Sequence, residues 1–216
     1  MWTTTARLTS KSLYSQSRPH CVPRIEKETP DAYEARTWHH RLHVNDGQVY
    51  LPAMALRNCI AEAAKFLSIQ IPGKGKSTYT KHFESGLLIT SSPSLYSFDG
   101  KKIVPPSEKE LSRVINSCPG KVSEQAEEYK PEENESYGDW VFVPSDGVPG
   151  SGKRVWKCYP MIQNWTCECE IQVVDDAITK DIFYKVLQEA GNLIGVGRFR
   201  VRNRGIYGRF NVEQVA

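Results

Sequence analysis

Hydrophobic and polar residues alternate most regularly between positions 165 and 174. Every second residue there is apolar, so the apolar side chains share one face of an extended chain, which predicts a half-buried strand over Trp165–Val174. The apolar spacing then lengthens to three and four residues, which predicts a helix with Thr179 as its N-cap and Gly191 just past its end. The predicted buried face of this helix consists of Ile182, Phe183, Val186, Leu187 and Ala190.

A second helical pattern lies in the first half of the chain. Pro52 is a residue typical of helix starts, and a stripe of apolar residues at helical spacing predicts a helix over Ala53–Leu67. Strands are predicted around it at Thr37–His43, Gln48–Leu51 and Gly86–Thr90. The turn between the first two strands is assigned to Asn45-Asp46-Gly47, because these residues favour tight turns.

Two stretches lack a clear pattern. Met1–Ser17 is rich in Ser and Thr and is predicted to be a flexible N-terminal arm. Ser91–Val155 is interrupted by Pro-Pro and Pro-Gly pairs, so we expect an exposed, partly mobile excursion that contains a short strand at Trp140–Val143. Its middle is acidic, with Glu124, Glu127, Glu128, Glu132, Glu133, Glu135 and Asp139.

The predicted elements follow the order β-α-β-β-α-β, with the excursion inserted between the two middle strands. This order is typical of ferredoxin-like folds and of RRM-type nucleic-acid binders, so the sequence predicts an α+β protein with one RRM-like core and a long insertion. The predicted divisions are the arm 1–17, the first half of the core 18–90, the excursion 91–155, and the second half 156–216 with a Gly/Arg-rich C-terminal strand. RRM-type proteins bind single strands on the open face of their sheet.

Composition narrows the class of protein. The 216 residues carry a formal net charge of +3, and a hydrophobic content of 39% is ordinary for a globular protein. The six cysteines show neither disulfide nor zinc spacing, so we expect no metal and no cofactor. No apolar run reaches the ~20 residues of a membrane span, and the first residues do not resemble a secretory signal. We therefore expect a cytoplasmic protein with no membrane partner.

Arginines recur at every second position near the end of the chain. If Gly191–Val212 ends in a strand, Arg198, Arg200 and Arg202 share one face and Phe199 turns toward the core. Guanidinium groups beside glycines favour phosphate, because the glycines allow a polyanion to approach and the arginines neutralise it. A solvated outer strand face is the alternative. The predicted nucleic-acid contacts in this segment also include Arg204, Arg209 and Tyr207.

Further cationic residues outside this segment are candidates for phosphate contacts. They are Arg36, His39, Arg57, Lys74, Lys76, Lys153 and Arg154. The loop with Lys74 and Lys76 lacks the spacing of a P-loop, so nucleotide triphosphate hydrolysis is excluded. Aromatic residues that could stack on bases are Trp38, Tyr79, Phe83, Trp156, Tyr159 and Tyr207, with core packing as the alternative for each.

Two segments resemble the RAMP superfamily, which includes CRISPR-associated backbone, cap and repeat-processing subunits. Residues 47–57, GQVYLPAMALR, are similar to the entry into the first helix of these proteins, and residues 191–210 are similar to their glycine-rich C-terminal loop and strand. The resemblance implies an RRM-like palm and a subunit that polymerises along a guide RNA, in a prokaryotic cell or a phage-infected host. The acidic excursion departs from the RNA-contacting insertion of backbone subunits.

The leading hypothesis is therefore sequence-tolerant binding of single-stranded RNA by a non-catalytic subunit that associates with itself and with other CRISPR effector subunits. A metal-independent endoribonuclease is one alternative, because His39, His40 and His43 cluster and a histidine suits acid–base cleavage of RNA. A phage single-stranded DNA-binding protein would use the same surface. A decoy that mimics a CRISPR subunit would use the acidic excursion instead.

Overall fold

The computed structural model of this chain describes residues 1–119, 131–145 and 152–215. Its strands are β1 (Trp2–Ser10), β2 (Tyr14–Ser15), β3 (Val44–Asn45), β4 (Gln48–Val49), β5 (Leu87–Leu88), β6 (Tyr96–Ser97), β7 (Tyr137–Pro144), β8 (Arg154–Ile162), β9 (Trp165–Val173) and β10 (Phe210–Gln214). Its α-helices are α1 (Pro30–Thr37), α2 (Ala53–Leu67), α3 (Thr80–Ser85), α4 (Glu108–Asn116) and α5 (Lys180–Glu189).

The main sheet is antiparallel and has the strand order β10-β1-β9-β5. In chain order these strands and the two long helices run β1, α2, β5, β9, α5, β10. That is the β-α-β-β-α-β connection of a ferredoxin-like core, so the predicted α+β fold class is confirmed. β6 pairs with the far end of β9.

The main core lies between this sheet and helices α2 and α5. Alternation along β9 turns Cys167, Cys169, Ile171 and Val173 inward, where each is at most 2% exposed. The predicted helical stripes meet them, with Leu56 and Ile60 from α2 and Phe183 and Leu187 from α5 fully buried. The predicted bounds of α2 and the N-cap role of Thr179 are thus confirmed, and β9 ends one residue before the predicted Val174.

The first strand of the core is the segment that the sequence predicted to be a flexible arm. Trp2–Ser10 forms β1, in the interior of the sheet between β10 and β9, with Ala6 and Leu8 fully buried. Composition misled here because Thr is β-branched and suits a strand as well as a polar tail. The prediction of a flexible arm over residues 1–17 is therefore wrong.

The segment predicted as the first strand, Thr37–His43, is also wrong. It begins at the last residue of α1 and continues as a 3-10 turn over Trp38–Arg41. Thr29 caps α1 by accepting a hydrogen bond from the backbone N–H of Ala32, and Trp38 is fully buried. The following turn is confirmed: β3 and β4 form a hairpin, and Asp46 and Gly47 both have positive φ, as two-residue hairpin turns require.

Two insertions, residues 11–52 and the described parts of 89–164, supply a second structural unit, and the later insertion also supplies β6 to the main sheet. The sheet of this second unit has the order β2-β8-β7, and α1 and α4 pack on it around Ala35, Trp38, Val114 and Cys158. The excursion 91–155 is thus not a single exposed loop, and the core does not divide at residues 90 and 156. The predicted β stretch Trp140–Val143 is confirmed within β7. Glu124, Glu127 and Glu128 lie outside the described residues.

The end of α5 differs from the prediction. Gly191 does not cap the helix; the chain continues through a π-helical turn, Ala190–Ile194, in which Gly191 is buried against Phe210. The predicted strand through Arg198–Arg204 is absent, and Val201–Asn203 forms a 3-10 turn there. The last strand of the core is β10, which begins at Phe210. No described helix is both long and apolar enough to span a bilayer.

Candidate nucleic-acid interface

The arginine loop, residues 195–209, joins α5 to β10. Backbone hydrogen bonds to the segment around β2 hold it in place. Arg198 donates its N–H to the Ser15 carbonyl oxygen at 2.8 Å, and Gly208 donates to that of Leu13 at 2.7 Å. A Cβ added to Gly208, which has φ +72°, would lie 1.8 Å from the carbonyl oxygen of Val196. The glycine at this position therefore allows the protein's own chain to approach, not a polyanion as the sequence predicted.

The predicted row of arginines on one strand face does not form. Arg200 and Arg202 both turn to Glu62 on α2, with nitrogen–oxygen distances of 2.8 and 3.1 Å. One carboxylate thus holds two guanidinium groups, each through its own oxygen. The charge of this pair is partly neutralised inside the protein, and only one net positive charge remains for a ligand.

Arg198 follows a different path and stacks on a tyrosine of the second sheet. Its guanidinium carbon lies 3.6 Å from the ring centroid of Tyr159 on β8, and Arg41 lies over the same ring at 4.9 Å. Two cations thus contact one aromatic ring. Tyr159, a predicted base-stacking residue, has its ring covered by these arginines instead.

Two arginines of the loop have a buried guanidinium nitrogen with no hydrogen-bond partner among the described residues. These atoms are Nη1 of Arg198 and Nε of Arg209. A buried N–H of a cation that makes no hydrogen bond is costly, and such groups in native proteins find a water, an ion or a ligand. Arg204 is exposed at the tip of the loop, with φ +61° and no ion-pair partner in the described chain. Arg198, Arg204 and Arg209 are therefore the loop arginines available to an anion.

The tip of the arginine loop also exposes apolar side chains. Phe199 is 48% exposed and has φ +50°, an uncommon conformation for a bulky residue, and Ile206 is 66% exposed. Tyr207 lies edge-on to Phe199 with a centroid separation of 5.7 Å. Phe199 therefore does not enter the core, as the strand prediction required, but forms an aromatic pair at the surface.

One carboxylate lies close to the available arginines. Asp139 is directly opposite Tyr159 across β7 and β8. Burial raises the pKa of Asp139, while the Trp140 N–H and the cations Arg113 and Arg198 lower it. Burial also raises the pKa of Tyr207. An anion bound at Arg198 would therefore meet repulsion from Asp139.

Two of the other predicted contacts serve the structure. Arg57 donates its Nε–H to the carbonyl oxygen of Leu87 at 3.2 Å and a second hydrogen to that of Glu84. Arg36 is paired with Glu28 at 2.8 Å and also donates to the carbonyl oxygen of Pro23 at 2.9 Å. Both guanidinium groups thus have acceptors inside the protein.

The remaining predicted lysines and Arg154 lie at the surface, in two separate places. Lys74 and Lys76 are exposed in the loop before α3, and Lys153 and Arg154 are exposed where β8 begins. Arg154 lies 5.8 Å from the ring centroid of Phe142. None of the four has an ion-pair partner among the described residues.

Phe142 and Trp156 form an exposed aromatic pair on the second sheet. Their centroids are 5.0 Å apart, and the side chains are 45% and 38% exposed. They lie two residues from the cross-strand pair Trp140 and Cys158 and therefore share its face of the sheet, which packs on α4. Tyr159 is on the other face, toward the arginine loop. The aromatic pair and the arginine loop thus lie on opposite faces of this sheet. The sequence singled out Trp156 but missed Phe142, whose two-residue spacing from Trp140 was the available signal.

Of the three histidines that cluster in the sequence, His39 and His40 lie together, whereas His43 packs against Tyr50. The His39 and His40 rings are 4.2 Å apart, and His20, which sequence reasoning missed, lies 5.9 Å from His40. Burial, and then the neighbouring His40 and His20, lowers the pKa of His39 to about 4. His39 is therefore neutral at pH 7. No group of three or more His, Cys, Asp or Glu in the described chain could hold a metal ion.

Three predicted base-stacking residues belong to the core instead. Trp38 and Phe83 are fully buried, and Tyr79 is 5% exposed. On the open face of the main sheet, the outward residues of β9 are Thr166, Glu168, Glu170 and Gln172, none of which is aromatic. Tyr96 and Phe98 lie at the edge of this face, beside Thr166. Glu168 and Glu170 disfavour an RRM-type use of this face, because carboxylates repel a polyanion.

Comparison with solved structures gives likenesses that are distant. No protein family matches the chain, and no curated protein matches it. The crystal structure of Cmr6 from Pyrococcus furiosus is similar with a TM-score of 0.39 and 12% identity, and the alignment covers 100% of this chain and 98% of that chain. A likeness this distant assigns neither a family nor a function to this chain.

Proposed function

We propose that the arginine loop binds the phosphate backbone of single-stranded RNA. The observation that carries this proposal is that Arg198, Arg204 and Arg209 lie in one loop and have no ion-pair partner in the described chain, and that Arg198 and Arg209 each keep a guanidinium nitrogen without a hydrogen bond. Phosphate oxygens are strong acceptors for such donors, and one ligand with several phosphates can serve both arginines and the exposed Arg204.

The aromatic pair at the loop tip supplies the second kind of contact. Phe199 and Tyr207 lie next to the available arginines in the chain, and Phe199 is half exposed. A base stacked on an exposed ring contributes about 1–3 kcal/mol without selecting a sequence. This arrangement favours sequence-tolerant binding of an unpaired strand over binding of a duplex, whose bases are already stacked.

The proposal includes no cleavage step. His39, an acid–base candidate of the nuclease alternative, has a pKa of about 4, and its ring lies against that of His40 and not against a carboxylate that would orient it. We expect RNA to stay intact when it is incubated with the protein in chelator. Products with a 2′,3′-cyclic phosphate that disappear in His39→Ala or His40→Ala would make the protein a nuclease.

The resemblance to RAMP backbone subunits adds a proposal about assembly. A backbone-type subunit on a guide RNA would give complexes whose mass rises in regular steps as the RNA lengthens. Mass photometry on oligouridines of increasing length measures this directly. One fixed stoichiometry on long RNA would leave a simple binding module or a decoy.

The binding experiment uses a fluorescein-labelled 20-nucleotide oligouridine and fluorescence anisotropy. The variant Arg198→Ala/Arg204→Ala should weaken binding roughly 10–100-fold, at about 1.5 kcal/mol or more for each charged hydrogen bond lost. It should also flatten the salt dependence, by about 0.7 in log–log slope per phosphate contact. The control Lys81→Ala/Lys185→Ala removes the same charge from exposed positions on α3 and α5. Equal losses in both variants would contradict a defined site, and tighter binding of the matching DNA would contradict RNA.

A further inference from the structure

The main sheet has a gap along the outer edge of β9. β1 pairs with β9 from Thr166 to Val173 on one side. On the other side β5 pairs only with Gln172 and Val173, and β6 only with Trp165 and Thr166. Within the described residues, no strand or bridge pairs with positions 167–171 on that side. Five residues of strand are about 17 Å long.

The register decides which backbone groups face this gap. The pairing of β1 with β9 is continuous, without a bulge, so alternate residues of β9 direct both N–H and C=O to the same side. The N–H of Val174 donates to the Gly86 carbonyl oxygen on the β5 side at 2.9 Å. Even-numbered residues share that direction. Glu168 and Glu170 therefore present their N–H and C=O groups to the gap.

The chain between β5 and β6 does not bond to this edge. Leu51 donates its N–H to the Pro93 carbonyl oxygen at 2.9 Å, and Ala53 donates to the Ser92 hydroxyl at 3.0 Å. This segment is thus tied to the start of α2. A cleft of about 770 Å³ opens beside β6 on the open face of the sheet and reaches Cys167. Because Cys167 is only 2% exposed and its side chain points to the core, the strand backbone is what lines the cleft there.

We infer that the gap between β5 and β6 accepts an extended, basic segment of a protein partner, which adds a short strand beside β9. An unpaired strand edge is a template for such pairing, and the main-chain hydrogen bonds supply affinity whatever the side chains. The side chains beside the gap supply specificity.

The charge of the open face indicates why the partner is basic. Glu168, Glu170 and Glu213 project from this face, and Arg7 lies 2.7 Å from Glu168 and 3.9 Å from Glu213. A strand added beside β9 would place every second side chain next to Glu168 and Glu170. Lys or Arg at those positions, with small or β-branched residues between them, fits the surface. Nucleic acid does not fit, so the site is independent of the arginine loop.

Hydrogen exchange tests the gap without any ligand. In the free protein, the amides of Glu168 and Glu170 should exchange roughly 100-fold faster than those of Cys169 and Ile171, which pair with β1. Equal protection of all four amides would show that the edge is closed and would overturn the inference. This result would leave RNA binding by the arginine loop untouched.

A peptide of sequence TKVRVKT tests the partner. It should bind, and it should slow exchange at Glu168 and Glu170, whereas the matched peptide TEVEVET should not. Glu170→Lys should weaken binding at least ~10-fold, since it reverses a charge that the peptide faces, while Glu26→Lys at a distant exposed site should not. A thermal melt of each variant checks that both are folded. Equal binding of the two peptides, protection of these amides by self-association, or their protection by oligouridine would each overturn the inference.

Discussion

β9 and the arginine loop share a two-residue repeat and have different structures. In β9 the residues of one phase are apolar and at most 2% exposed, so the sheet and the core fix the extended chain. In the arginine loop the residues between the arginines are Phe199, Val201 and Asn203, and Phe199 is 48% exposed. A two-residue repeat produces a strand where every second side chain is buried. Where neither set of alternate side chains is buried, local turns and glycines determine the backbone conformation.

The two regions also differ in charge. The open face of the sheet beside β9 carries Glu168, Glu170 and Glu213, whereas the arginine loop carries Arg198, Arg204 and Arg209 without ion-pair partners in the described chain. One molecule thus presents an acidic, regular surface and a basic, irregular one. Variants that alter one region and spare the other separate their roles.

The largest effect, on the stability of the fold, is expected from a substitution in β1. Leu8→Ala should lower the free energy of unfolding by about 2–5 kcal/mol, because Leu8 is fully buried in the core. The neighbouring Arg7→Ala faces outward and should cost less than about 1 kcal/mol. Urea denaturation measures both. A flexible arm at residues 1–17 would make the two variants equally harmless.

The backbone of the arginine loop gives the next effect. Gly208→Ala should destabilise the protein by roughly 3 kcal/mol and abolish RNA binding, since a Cβ would overlap the Val196 carbonyl oxygen. Gly100→Ala is the matched control: it has φ +82°, but a Cβ there has no atom within 4 Å. It should cost about 1 kcal/mol and leave binding unchanged. Similar melting temperatures for the two variants would contradict the close packing of the loop.

The sequence predicted those elements whose patterns reflect burial. The bounds of α2 and β9 and the cap at Thr179 follow from apolar spacing and cap chemistry, which are local. The role of β1 could not be found in this way, because Trp2–Ser10 is buried by strands more than 150 residues away. For the site, the sequence identified the arginines but not the contact of Glu62 with Arg200 and Arg202, which only the fold brings together.

A smaller effect, on RNA affinity, is expected from the contact of Glu62 with Arg200 and Arg202. Glu62→Gln should tighten RNA binding roughly three- to tenfold, because it releases Arg200 and Arg202 from a carboxylate that stands where a phosphate would. The cost in stability should stay below about 1 kcal/mol, since the ion pairs are partly exposed. Glu26→Gln removes the same charge from an exposed site and serves as the control in anisotropy titrations. Weaker binding by Glu62→Gln would mean that Glu62 positions the arginines for the ligand.

The smallest effect concerns Asp139. Because its pKa is raised in the folded protein, its ionised form opposes folding, and this opposition is relieved as pH falls through the raised pKa. Asp139→Asn should therefore raise the melting temperature slightly at pH 7 and not at low pH, below the pKa of the unfolded chain. It should also tighten RNA binding at pH 7. A variant that melts lower at pH 7 would show that the carboxylate is stabilised by Arg113 and Arg198 more than burial destabilises it.

The central claim is that the arginine loop holds RNA through the arginines that Glu62 leaves free. Arginine side-chain Nε–Hε NMR spectra, recorded during titration with oligouridine, test it most directly because they report each guanidinium separately. The Arg198 and Arg209 signals should shift early in the titration, and those of Arg200 and Arg202 should move little while Glu62 holds them. Shifts confined to Arg154 and to arginines outside the loop would contradict the claim and would place the RNA on the second sheet.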